Sequence, residues 1–157
     1  RAKRVDLLLE AAALDPSLEV VVVSDGPDRE RLESLARRHR LNGRVTFAGR
    51  VAADELAALY ATCLAVYYAP VDEDFGMGPY ESFLAEKPVI TTTDAGGPLD
   101  VVHDRRTGLV VPPEPGAVAQ AAAWLREHPD EAATLGRAGK ALASEVTWER
   151  AIGRLLA

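Results

Sequence analysis

Glu19-Val20-Val21-Val22-Val23-Ser24-Asp25-Gly26-Pro27 is the stretch that decides the fold. Four β-branched residues in succession, with no polar residue between them, suit a strand covered on both faces, as in a parallel sheet with helices on either side. Asp25-Gly26-Pro27 then turns the chain into a helix over 28–40. There Leu32, Leu35, Ala36 and His39 share one face, and Arg29, Glu33 and Arg37 are spaced four apart on another. Upstream, Val5, Leu7, Leu8, Leu9, Ala12 and Ala13 give residues 5–14 a helix with one broad apolar face. Asp15-Pro16 ends it, because the residue before a proline avoids helical angles.

The unit recurs downstream. Strands are predicted over 44–48, 64–68, 88–92 and 109–111, the last at a sheet edge. Helices are predicted over 54–62 and 79–86, briefly after Gly97-Pro98, and over 114–127, 130–145 and 148–156. Strands alternating with helices through short links imply right-handed βαβ crossovers and an α/β, Rossmann-like, doubly wound parallel sheet flanked by helices. No solenoid repeat and no linker rich in glycine and serine interrupts it. Such a domain ordinarily opens on a strand that is central in the sheet, whereas this chain opens on charged residues directly before a helix. Residues 1–157 are therefore expected to be a fragment whose first strand is absent.

Length and charge narrow the function. A chain of 157 residues suits one domain with a single core. A net charge of −6 argues against nucleic acid, which requires a basic face that releases counterions. A small anion remains possible, since a local helix terminus or lysine can hold a phosphate whatever the global charge. The lone Cys63 excludes an intramolecular disulfide and points to a reducing, cytoplasmic compartment. Its thiol is expected in a strand beside Leu64 and Val66 rather than as a nucleophile. No stretch is long and apolar enough to resemble a membrane span.

Ligands of a doubly wound sheet bind beyond the carboxyl ends of its strands. The most informative loop there is Ala69-Pro70-Val71-Asp72-Glu73-Asp74-Phe75-Gly76-Met77-Gly78-Pro79-Tyr80-Glu81. Pro79 suits the first helical position, which makes Gly78 the N-cap and Glu81 the third helical residue. The amides of that first turn, with those of Gly76, Met77 and Gly78, form a concave donor surface fit for phosphate. Glu73 and Glu81 flank it, and a carboxylate accepts hydrogen bonds from paired hydroxyls such as those of a ribose or hexose. The alternatives are a solvated acidic loop, a glutamate favouring the helix dipole, and a divalent-metal site on Asp72-Glu73-Asp74.

Glu73 and Glu81, with seven residues between them around Phe75-Gly76-Met77-Gly78 and followed by Lys87-Pro88-Val89, resemble the signature of the retaining glycosyltransferases of the GT-B fold, family 4. The likeness extends along the chain. Lys3-Arg4-Val5-Asp6-Leu7-Leu8 is similar to that family's K-G-x-x-L-L, and Val23-Ser24-Asp25-Gly26-Pro27 to its V-G-D-G-P turn. Arg44 to Gly49, Gly96 to Val102, Thr107 to Pro112 and Thr147-Trp148-Glu149 resemble R-V-x-F-x-G, G-G-x-x-E-V-V, T-G-x-L-V-x-P and S-W-E.

The resemblance implies that the chain is the donor-binding half of such an enzyme, a domain that holds a nucleotide-diphosphate sugar, UDP- or GDP-linked. The acceptor-binding domain would be elsewhere in the protein. It implies transfer of a hexosyl unit with retention, by front-face attack, without metal or cofactor. By the same resemblance Glu73 is the catalytic carboxylate against the donor sugar and Glu81 binds the ribose hydroxyls. Phe75, Gly76, Met77 and Gly78 offer backbone amides, and Lys3 contacts the phosphates. Gly26 lies in the turn beside the nucleotide, and Arg50 and Val51 border the base. Arg4, Ser24 and Glu86 stand where the family has glycine, and Asp100 where it has glutamate. His39 and His103 fall on helical patterns and His128 in a turn between helices. Trp124 and Trp148 are expected to pack. A non-catalytic nucleotide-sugar-binding module and a sugar-nucleotide epimerase on the same fold are the competing readings.

Overall fold

The computed structural model describes residues 3–146. The expected helix over 148–156, with Trp148 and the Thr147-Trp148-Glu149 motif, lies outside them. In chain order the elements are α1 (Val5–Leu14), β1 (Val20–Val23), α2 (Arg29–Arg38), β2 (Val45–Gly49), α3 (Ala53–Thr62) and β3 (Val66–Tyr67). These are followed by α4 (Gly78–Leu84), β4 (Val89–Thr92), a 3₁₀ turn over Gly97–Asp100, β5 (Gly108–Val111), α5 (Pro115–Glu127) and α6 (Pro129–Ala143). The alternation read from the sequence is present, and every strand ladder is parallel.

The strands do not form one continuous sheet. Among the described residues β1 pairs only with β2, with Val20 opposite Val45 and an irregularity between Val22 and Val23. β3, β4 and β5 form a second sheet in that order, with Val66 opposite Val89 and Ile90 opposite Leu109. β5 lies at its edge, as expected.

Each sheet has its own core. Leu9 and Ala12 of α1 close over Val20, Leu32, Leu35, Ala36 and Leu41 in the first. Ile90 and Leu109 pack under Ala121, Ala122 and Leu125 of α5 and Ala132 and Leu135 of α6 in the second. Helices join the two: Leu7 and Ala11 of α1 meet Val118 and Ala119 of α5. Phe83, fully buried, anchors α4 against Val89, Val101, Val102 and Ala143.

Several expectations change. The four valines of β1 are not covered on both faces: Val20 is buried, but Val21 is 49% exposed and Val22 and Val23 are intermediate. The strand that meets that description is β4, all four of whose residues are buried. β4 has a neighbour on either side, whereas β1 has one free edge, and that difference separates them. Cys63 is not in a strand; it is the C-cap of α3. Burial raises the pKa of its half-buried thiol, which disfavours the thiolate a nucleophile needs. His39 caps α2 in solvent rather than joining its apolar face, and His103 follows the 3₁₀ turn in a loop. Trp124 packs as expected, stacking on His128 at 4.6 Å with the Arg105 guanidinium 4.1 Å from its ring.

Candidate functional site

Arg4 builds the site from beneath. It adopts φ 45°, the left-handed region that disfavours any residue with a Cβ. Its guanidinium holds it there, donating from Nε to Ala69 O at 2.9 Å and from Nη2 to Pro70 O at 2.7 Å. The same group pairs with both carboxylate oxygens of Asp94, at 2.9 and 2.8 Å, and bonds to Thr92 Oγ1. Tyr67 Oη in turn donates to Arg4 O at 3.1 Å. The start of α1 is thereby stapled to the carboxyl ends of β3 and β4. The hydrogen bonds from Arg4 keep the Asp94 carboxyl below its ordinary pKa, against the smaller opposing effect of burial.

That staple carries Lys3 over the loop after β3. Lys3 Nζ donates to Tyr68 Oη at 2.8 Å, pairs with Glu73 Oε2, and lies 4.9 Å from the centre of the Tyr68 ring. Burial disfavours its charge, but its hydrogen bonds to Glu73 and Tyr68 together outweigh that and raise the pKa above the usual lysine value. Both contacts favour the charged form of Lys3, and its partner Glu73 is only a quarter exposed.

Glu73 is positioned by its own backbone. Its amide donates to Ala95 O at 3.0 Å, and its carbonyl accepts from Gly97 N at 2.6 Å. The loop lies so close to residues 95–97 that a Cβ on Gly96 would fall 2.6 Å from Glu73 O, and one on Gly97 2.3 Å from Asp74 O. That close approach is why a glycine pair stands there.

The glycine turn lies against Tyr68. A Cβ on Gly76 would come 2.8 Å, and one on Gly78 2.5 Å, from its ring. Gly76 also takes φ 75°. Phe75 and Met77 point outward, 54% and 59% exposed, with Phe75 stacked 5.2 Å from Tyr80. α4 starts one residue earlier than expected, with Met77 as N-cap and Pro79 as the second helical residue. The Glu81 amide is not free, since it donates to Met77 O at 3.2 Å. The exposed Glu81 carboxylate accepts from Tyr60 Oη of α3 at 3.0 Å.

Lys3, Glu73, Gly76 and Gly78 are thus brought together around Tyr68, with Phe75 and Met77 on the rim and Glu81 one turn further along α4. Gly26, Arg50 and Val51 belong to the other sheet, at the carboxyl ends of β1 and β2. Those two turns adjoin, Ser24 N donating to Gly49 O at 2.6 Å, and among the described residues no backbone hydrogen bond ties them to Lys3 or Glu73. Among the described residues, no three His, Cys, Asp or Glu side chains gather where they could share a metal ion, so Asp72, Glu73 and Asp74 do not converge. Sequence reading missed Tyr68 and Tyr60. Tyr68 had a weak signal, an aromatic at the carboxyl end of a strand. Tyr60 had none, because its partner is 21 residues away.

Comparison with known proteins places the chain in a family. The chain is 32% identical over 116 residues to the alpha-1,3/1,6-mannosyltransferase ALG2 of Mus musculus, covering 74% of this chain and 28% of that protein. It is 36% identical over 110 residues to a GDP-mannose-dependent alpha-mannosyltransferase of Mycobacterium tuberculosis, covering 70% and 27%. Among solved structures, Anabaena HepE in complex with UDP and glucose superposes with a TM-score of 0.88 at 27% identity, over 99% of this chain and 45% of that one. The chain spans under a third of the two curated relatives' length. The model of the family described as glycosyl transferases group 1 matches residues 1–142, and the chain belongs to that family.

Proposed function

We propose that this chain is the donor-binding half of a retaining, metal-independent glycosyltransferase that moves a hexosyl unit from a UDP- or GDP-linked sugar to an acceptor held by a second domain, in the cytoplasm. The observation that carries this reading is the junction of Lys3, Tyr68 and Glu73 beside the Gly76–Gly78 turn, at the carboxyl ends of β3 and β4. A parallel sheet binds its ligands at that end.

In this proposal Lys3 takes the diphosphate, stabilising the charge that grows on the leaving group. The amides of residues 75–78 add further donors. Glu73, released from Lys3 as phosphate replaces it, faces the reacting sugar, and Glu81 receives the ribose hydroxyls. Gly26, Arg50 and Val51 border the base across the crevice. With a lysine already facing the phosphates, no metal is required to neutralise them. Catalysis is then mostly positioning and leaving-group electrostatics.

Calorimetric titration of the full-length protein with UDP, GDP and ADP tests the reading. Saturable binding of one nucleotide, retained in EDTA and weakened at least tenfold by Glu81→Ala without a change in melting temperature, is the expected result. Binding that EDTA abolishes would overturn the metal-free part. Affinity unchanged in Glu81→Ala would overturn the ribose contact.

A further inference from the structure

Lys3 has two partners of opposite kinds. Its ammonium donates to the carboxylate of Glu73 and, at 2.8 Å, to the hydroxyl of Tyr68. The carboxylate competes with any phosphate for that ammonium, because both are anions attracted to one cation. The hydroxyl does not compete. It is neutral, and it accepts from the ammonium without cancelling the charge. An ammonium has three N–H donors. A phosphate can take the one that Glu73 gives up and the one left unused, while Tyr68 keeps the third.

Holding Lys3 has a value of its own. Its side chain is 54% exposed and ends a flexible four-carbon stem. Without a neutral anchor, loss of Glu73 would release that stem into solvent, and a phosphate would have to order it again at an entropic cost.

Tyr68 is itself fixed. Its amide donates to Ile90 O at 3.0 Å, continuing β3 along β4. Its ring packs against the cluster of Phe83, Val89, Val101 and Val102 that anchors α4. The ring also supports the glycine turn. A Cβ on Gly76 would fall 2.9 Å from Tyr68 Oη, and one on Gly78 2.7 Å from Cε2, so only bare backbone can lie this close. One side chain at one strand end therefore touches both groups that can donate to a phosphate, the lysine through its hydroxyl and the turn through its ring.

We propose that Tyr68 is a positioning residue of the donor site, whose hydroxyl keeps Lys3 aimed at the diphosphate once Glu73 has let go and whose ring holds the Gly76–Gly78 turn at the matching distance. The proposal rests on the donor-site reading above and deepens it. In a nucleoside-diphosphate sugar the sugar is joined to the terminal phosphate, so a group that stabilises the leaving charge meets that phosphate. Loss of the hydroxyl should then weaken a diphosphate and spare a monophosphate.

Tyr68→Phe removes the hydroxyl and keeps the ring, so this variant should melt with the parent. The full-length protein is titrated with whichever of UDP, GDP and ADP it binds, and with the matching monophosphate. Tyr68→Phe is expected to bind the diphosphate about tenfold more weakly and the monophosphate with less than about a twofold change. The tenfold loss should vanish in a Lys3→Met background. A loss that persists there, or one equal for both nucleotides, would overturn the proposal. Tyr68→Leu should lose more than Tyr68→Phe, and equal losses would remove the ring from it.

A second readout requires no nucleotide. The NMR signal of the Lys3 ammonium, which solvent exchange erases in a mobile lysine, is expected in the parent and absent in Tyr68→Phe. An unchanged signal would overturn the proposal whatever the titrations give. A parent that binds no nucleotide, yet shows an ammonium signal dependent on Tyr68, would support the anchoring of Lys3 and fail the donor-site reading alone.

Discussion

β1 and β4 are four-residue parallel strands, one Val-Val-Val-Val and the other Val-Ile-Thr-Thr, yet the more apolar of the two is the less buried. β4 lies between two strands, and its residues, two threonines included, are all buried. β1 pairs on one side only and leaves Val21 half exposed. Composition thus records the burial a strand is built for, and pairing records the burial it has. The disagreement in β1 follows from its second edge, which has no strand partner among the described residues.

The largest expected effect tests that contrast directly. Ile90→Ala, in the strand with both neighbours, should destabilise the protein by about 2–5 kcal/mol through loss of packing and the cavity left behind. Val21→Ala in the full-length protein should cost about 2 kcal/mol if a strand covers it, and under about 0.5 kcal/mol if the edge is open. Urea midpoints of the two variants, measured side by side, distinguish these cases. A small cost for Val21→Ala would break the comparison in favour of a permanently open edge.

A smaller effect is expected within the site. Tyr60, on α3, positions Glu81 through one hydrogen bond. Tyr60→Phe should weaken nucleotide binding by about 1 kcal/mol, roughly fivefold. The same substitution should change nothing when Glu81 is already alanine. An equal loss in both backgrounds would mean that Tyr60 acts through packing and not through Glu81.

Smaller still are the effects at the three positions where the family has glycine. Arg4, Ser24 and Glu86 take φ 45°, 82° and 58°. Arg4 is held by its ring of acceptors, and Glu86 pairs with Lys140 at 2.7 Å. Ser24 has only its backbone bond to Gly49 and is exposed. Ser24→Gly should therefore stabilise by about 0.5–1 kcal/mol in thermal unfolding. Glu86→Gly should gain less, because it gives up the ion pair, and Arg4→Gly should lose stability. A Ser24→Gly variant no more stable than the parent would show that the turn does not hold the strain its angle implies.

The smallest effect concerns pH. Asp94 has its folded pKa lowered chiefly by the hydrogen bonds from Arg4, so its contribution is present above the unfolded value of about 3.8 and is lost as pH falls through the lower folded one. Half-exposed side-chain pairs are screened, so the expected change is modest. Asp94→Asn should melt slightly below the parent at neutral pH, with the gap closing at pH 2. A gap that persists in acid would assign the staple to Arg4's other bonds.

Much of the molecule was legible from its residues. The alternation of strands and helices followed from apolar runs and turn residues, which act locally. Glu73 and the Gly76–Gly78 turn could be picked out as one loop because glycines and carboxylates at close spacing mark it, and the structure packs that loop against Tyr68. Val21's exposure was not, because burial depends on the neighbouring strand and not on the residue. Tyr68 and Tyr60 were not, because nothing near them in sequence marks a partner reached only by folding.

The sequence by itself determined the order of elements and the family, since each rests on short-range pattern and spacing. Only the tertiary structure decided that Lys3 meets Glu73 across 70 residues of chain, that α1 is stapled by Arg4, and that the sheet is split along β1. Those facts are contacts between distant segments, and a contact is set by how helices and strands pack, which no single segment encodes.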